Sequence, residues 1–93
     1  MVVFILQRVS PSLRGELTRW LLQPHTGLFV GTVSARVRQR LWARINRSLK
    51  NGAAIMIYPA PTEQGFVIEA GGLTKKSIQD FEGLTLAKTR LSQ

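Results

Sequence analysis

The sequence has no cysteine, one histidine and only five acidic residues. Without cysteine there is no disulfide framework and no thiolate zinc site. With His25 alone, in a loop after Pro24, the chain cannot build a His-based triad or a multi-histidine metal centre, and the lone imidazole reads as solvated. The acids do not cluster: Glu63 lies in a turn, Glu69 on a strand, and Asp80 and Glu82 in a loop, where they could hold a metal but more simply balance Lys75 and Lys76. A two-metal nuclease needs several carboxylates on one point. The glycines of "GLFVG" have neither the spacing nor the Lys-Ser/Thr of a phosphate-binding loop. Phe4, Phe29, Tyr58 and Phe66 are scattered, without the aromatic strand of an RNA-binding sheet. No apolar run is long enough to span a membrane. "MVVFIL" is short and has no cationic region before it, so a cytoplasmic protein without a targeting segment and without membrane contact is expected.

What remains is a short chain with an excess of positive charge. Its 93 residues suffice for one domain with a thin core, which a dimer interface could supplement. Thirteen Lys and Arg against five Asp and Glu give a formal charge of +8. The acids are also unevenly placed. Between Glu16 and Glu63 the chain carries Arg19, Arg36, Arg38, Arg40, Arg44, Arg47 and Lys50, and no acid. Such a chain repels itself and attracts polyanions, nucleic acid being the commoner partner and an anionic membrane the rarer.

Periodicity orders the elements. "VVFILQRV" (2–9) reads as a buried strand. Ser10 is a good N-cap and Pro11 suits the first helical position, so a helix is expected over 11–23, with Leu13, Leu17, Trp20 and Leu21 as its buried stripe. Gly15 inside it costs about 1 kcal/mol relative to alanine. "GLFVGTV" (27–33) is a short strand. A second helix spans 34–50, capped by Ser34 and stopped by a left-handed Asn51-Gly52. "AAIMIYP" (53–59) is a strand, 60–65 a turn, "FVIEA" (66–70) its hairpin partner, 71–83 a loop and 84–91 a last strand. The order β-α-β-α-β-β-β predicts two helices on one face of a sheet, an α+β or α/β sandwich.

On a helical wheel at 100° per residue, Arg36, Arg40, Arg44, Arg47 and Lys50 share about a third of the circumference. Val37, Leu41, Trp42, Ile45 and Leu49 form the opposite, core-facing stripe. Like charges four apart, Arg36–Arg40 and Arg40–Arg44, cost a few tenths of a kcal/mol per pair, and no glutamate on the helix offsets them. Arg36 also lies near the positive end of the helix dipole. An external anion over part of this arc is therefore expected. Arg38 falls within the apolar stripe and must snorkel out or meet an acid or a phosphate, so a structural salt bridge and a DNA contact both stay open.

Three stretches together resemble a known family: "VSPSLRGELTRWLL" (9–22), "TGLFVGTVSARVRQRLW" (26–42) and "GF…GGLTKKSIQDFEGL" (65–84). They are similar to the small CRISPR-associated adaptation protein, the Cas-two family, in its type I-E branch. The resemblance implies a ferredoxin-like fold, an α+β sandwich with two helices on one face of a mainly antiparallel sheet, and a symmetric homodimer, although only one short strand reads between the helices. It implies that residues 84–93 form a C-terminal strand or tail that docks on the dimer or a partner. It also implies a function. The homodimer would bridge two dimers of the CRISPR-associated integrase and hold a short foreign duplex DNA by its backbone, for insertion into the CRISPR array. By the same resemblance Arg14, Arg36, Lys75 and Lys76 contact the DNA backbone, with Arg8 and Arg38 as secondary candidates, while the Arg40–Arg44–Arg47 part of the arc faces the partner or solvent.

The sequence departs from the family pattern where many members carry metal-holding acids. Gln7 ends the first strand and Thr32 follows the glycine of the second, and neither is a good Mg²⁺ ligand. A non-catalytic scaffold with no cofactor is thus favoured over a metal-dependent endonuclease of the same family, for which Mg²⁺ would be needed. A basic RNA-binding or toxin-like dimer is a third reading.

Overall fold

The computed structural model describes residues 1–49 and 52–72. The expected strand over 84–91, the tail, Lys75, Lys76, Lys50 and Asn51 lie outside these residues. Among the described residues seven elements follow one another: β1 (Val2–Leu6), α1 (Pro11–Leu17), β2 (Leu22–His25), β3 (Leu28–Gly31), α2 (Ala35–Ser48), β4 (Ala53–Pro59) and β5 (Phe66–Gly72). They form an α+β structure with a five-stranded antiparallel sheet in the order β2-β3-β1-β4-β5. The first six run β-α-β-β-α-β, the order of a split βαβ unit, and β5 extends the β4 edge.

The alternation of β1 decides which face is buried. Val2, Phe4 and Leu6 are inaccessible, and their cross-strand neighbours Phe29, Met56 and Ala54 are buried with them. Both helices place their stripes on this face: Leu13 and Leu17 from α1, Leu41 and Ile45 from α2. Trp42 closes the core at its edge, stacked on Phe4 with ring centroids 6.2 Å apart. The opposite face is also apolar. Val3, Ile5, Leu28, Val30, Ile55, Ile57 and Ile68 line it in register, and among the described residues no helix packs there.

The helix starts match the expectation. Ser10 Oγ accepts from the Leu13 amide at 3.1 Å with Pro11 in the first turn, and Ser34 Oγ accepts from the Val37 amide at 3.2 Å. The ends differ. The helix expected over 11–23 stops at Leu17, and Leu22–His25 forms β2 instead. The Thr18 hydroxyl donates back to the carbonyls of Arg14 and Gly15 and satisfies the helix end locally. The backbone then pairs with β3, Leu22 opposite Val30 and His25 opposite Leu28. Pro24 is tolerated because β2 is an edge strand. Gly27, at a φ of 76°, makes the sharp turn into β3, and its carbonyl accepts from the Leu6 amide at 2.7 Å. The sheet thus holds the second strand between the helices that the sequence pattern did not show.

This early stop corrects the α1 stripe. Leu21 is buried against Gly31, whereas Trp20, expected in the core, is 50% exposed. The second helix ends at Ser48 with Leu49 extended at φ −77° and ψ 120°, and Gly52 has no positive φ, so the expected left-handed stop does not form at that glycine.

Candidate nucleic-acid interface

The described cations that the sequence pointed to do not gather on one patch. Arg8 is exposed in the segment that leaves β1 at its Leu6 end. Arg36 is exposed in the first turn of α2, which starts beyond Gly31 at the opposite end of the sheet, because Gly31 pairs with Val2. Arg14 is exposed on α1. Relative to the buried Leu13 and Leu17 it turns about 80° to one flank, while Glu16 turns about 80° to the other, toward α2. Arg8, Arg14 and Arg36 have no carboxylate within ion-pair distance among the described residues. Neither helix carries an acid in its first turn, where one would complement the dipole. Solvated guanidinium groups so placed can neutralise phosphates without reading bases.

Arg38 makes no salt bridge among the described residues. It is half-buried on the flank of α2 toward β4 and β5, with its Cζ 3.8 Å from the centroid of the Tyr58 ring. The ring face attracts the cation and covers its stem. Tyr58 Oη donates to Glu69 Oε2 at 2.8 Å. Tyr58 and Glu69 share the helix-side face through the β4–β5 register, in which Tyr58 opposes Val67 and Glu69 opposes Met56. The hydrogen bond to Glu69 holds the Tyr58 phenol above its usual pKa, with burial and the Glu69 charge acting the same way and Arg38 opposing them. The Arg38 Nε is buried and has no hydrogen-bond partner among the described residues. Asn46, one helical turn beyond Trp42, donates from Nδ2 to the Trp42 carbonyl at 2.8 Å and packs on Gly71, whose missing side chain admits it.

Arg44 also departs from the uniform arc read on the wheel. Its Nε donates to Glu16 Oε1 at 2.8 Å, and a second guanidinium nitrogen contacts the Ser48 hydroxyl. The offsetting acid sits on the other helix, 28 residues away in the chain. Arg40, on the same flank of α2, instead shares a groove between the helices with Arg19, Trp20 and Gly15. Sequence reasoning missed Glu16, Tyr58 and Glu69 as partners. The strand alternation that puts Met56 in the core also puts Tyr58 and Glu69 under α2, and that was the available signal.

Gln7 and Thr32 are exposed and cap opposite ends of the β1–β3 pair. Within one chain they lie roughly 20 Å apart along the strands and cannot share one ion. Among the described residues no group of three His, Cys, Asp or Glu side chains comes together, and no helix is long and apolar enough to cross a membrane.

Residues 1–86 match the family model described as CRISPR-associated protein (Cas_Cas2CT1978).

Proposed function

The chain belongs to the CRISPR-associated Cas_Cas2CT1978 family, and from that premise we propose that it is a non-catalytic DNA-binding scaffold of spacer acquisition. Two copies form a ferredoxin-like homodimer that bridges integrase dimers and holds a short foreign duplex by its backbone. The integrase performs the strand transfer. The observation that carries this reading is the set of exposed guanidinium groups Arg8, Arg14 and Arg36, none with a carboxylate within ion-pair distance among the described residues, on a chain of net charge +8. Their placement at separate points suits a long polyanion better than a small anion. A second copy gives the apolar sheet face around Val3, Ile5, Val30 and Ile57 a partner, since apolar faces of that extent are interaction surfaces. Lys75 and Lys76 belong to the proposed contacts through the family resemblance, and Arg38 less so, because Tyr58 already engages it.

The neutral Gln7 and Thr32 favour the scaffold over a metal-dependent nuclease. The test mixes this protein with its cognate integrase, a short labelled duplex and a plasmid carrying the CRISPR array. Integration should require both proteins. The protein alone, given Mg²⁺ or Mn²⁺, should leave RNA and DNA intact. Cleavage by the isolated protein with no effect on integration would replace the scaffold with the endonuclease. Duplex affinity should fall steeply with salt and show no base preference, and Arg14→Ala with Arg36→Ala should flatten that log–log slope.

A further inference from the structure

The groove between α1 and α2, of about 380 Å³, is not used by the reading above. Its apolar surface comes from Val37 and the half-exposed Trp20, with the buried Leu41 beneath them, and Arg19 and Arg40 also line it. No carboxylate among the described residues lies within ion-pair distance of either arginine. Glu16 is also in the wall, held by Arg44. Gly15 supplies an independent observation. A glycine inside a helix costs stability, and here nothing within the fold requires it: a methyl group at Gly15 would meet no atom within 4 Å, and the position has no positive φ. The space that Gly15 leaves open faces the groove.

We propose that this groove docks an acidic, amphipathic peptide segment of a partner protein. An apolar side chain of the segment packs on Trp20 and Val37, and flanking carboxylates accept from Arg19 and Arg40. Charge complementarity selects the occupant. Two guanidinium groups with no carboxylate partner among the described residues ask for anions, and the Glu16 carboxylate in the wall, held by Arg44, can accept from a peptide N–H, a donor that a phosphate chain lacks. The inference is independent of duplex binding, which it assigns to other residues.

The test is selection from a random peptide library displayed on phage against the full-length protein, counter-selected on Gly15→Leu, which fills the groove and suits a helix. Selected peptides should carry acids beside an apolar anchor and shift the emission of Trp20, with Trp20→Phe as the control. Arg19→Ala and Arg40→Ala should each weaken them about tenfold, the scale of one charge-assisted hydrogen bond, and Arg40→Glu should switch selection to basic peptides. Duplex affinity of Gly15→Leu should equal wild type, which separates this proposal from the scaffold reading. The proposal is overturned if no peptide prefers wild type to Gly15→Leu, or if the selected peptides ignore the charge reversal. It is also overturned if a single-stranded oligonucleotide, and no peptide, moves the Trp20 emission, because the groove would then be a base-stacking site.

Discussion

On the flank of α2 that faces α1, Arg44 meets the Glu16 carboxylate while Arg40 stays in an open groove. On the flank that faces β4 and β5, Arg38 lies on the Tyr58 ring, Tyr58 donates to Glu69, and Asn46 packs on Gly71. The same helix therefore has one flank covered by its neighbour, although the buried Arg38 Nε finds no hydrogen-bond partner there among the described residues, and one flank left partly open. The difference comes from what faces each side. The sheet brings an aromatic ring and a glycine under α2, whereas the short α1 brings one acid and another arginine. Cations that remain free for a ligand are those that no neighbour reaches.

The largest expected effect removes the floor that the two flanks share. Phe4→Ala deletes a fully buried ring and the surface on which Trp42 stacks. It should cost about 3–5 kcal/mol in urea-induced unfolding. If the flanks were separately supported, the loss would be much smaller.

Two glycine substitutions should then separate the flanks by sign. On the sheet side, an alanine at Gly71 collides with the Asn46 amide and forces it off the Trp42 carbonyl. A loss of at most about 1 kcal/mol is expected, because the exposed Asn46 amide can swing aside. On the α1 side, Gly15→Ala meets open space and should gain about 0.5–1 kcal/mol. Equal signs in thermal or urea unfolding would remove the distinction.

Tyr58 is the chain's one tyrosine, so phenolate absorbance follows it alone. Its pKa is raised from 10.0, chiefly by the hydrogen bond to Glu69. The folded state thus prefers the neutral phenol. The stability linked to that preference is complete below the unfolded value near 10 and is lost as pH rises through the higher folded value. Tyr58→Phe keeps the ring under Arg38, should cost about 1 kcal/mol, and should remove this alkaline dependence. An unfolding profile unchanged above pH ~10 in that variant would place the dependence elsewhere.

The smallest effect belongs to the helix–helix ion pair. Arg44 and Glu16 side chains are 24% and 41% exposed, so Glu16→Gln should cost less than about 1 kcal/mol. The loss should shrink further in high salt. A larger cost would mean that α1 depends on the pair for its docking.

Legibility follows from range. The apolar runs of β1, β4 and β5 and the stripe of α2 were readable because each element buries one face at its own period. β2 was not, since "LQPH" has a proline and no alternation, and it is a strand only because β3 offers a free edge. Trp20 was misplaced for the same reason: extending α1 by six residues carried it onto a stripe that the chain abandons at Thr18. The cationic arc was legible as residues, but the wheel treats every arginine on it alike. The carboxylate that removes Arg44 from the free set lies on another helix, and the ring that holds Arg38 lies on a strand.

The sequence by itself determined the charge, the two capped helices and the strands that bury a core, because capping and periodicity act over a few residues. Its local motifs also carry the family membership. The tertiary structure alone decided the second strand between the helices, the exposure of Trp20 and which arginines find a partner among the described residues. Strand pairing and ion pairing are choices among surfaces that meet only when the chain has folded, and their free energies depend on neighbours distant in sequence.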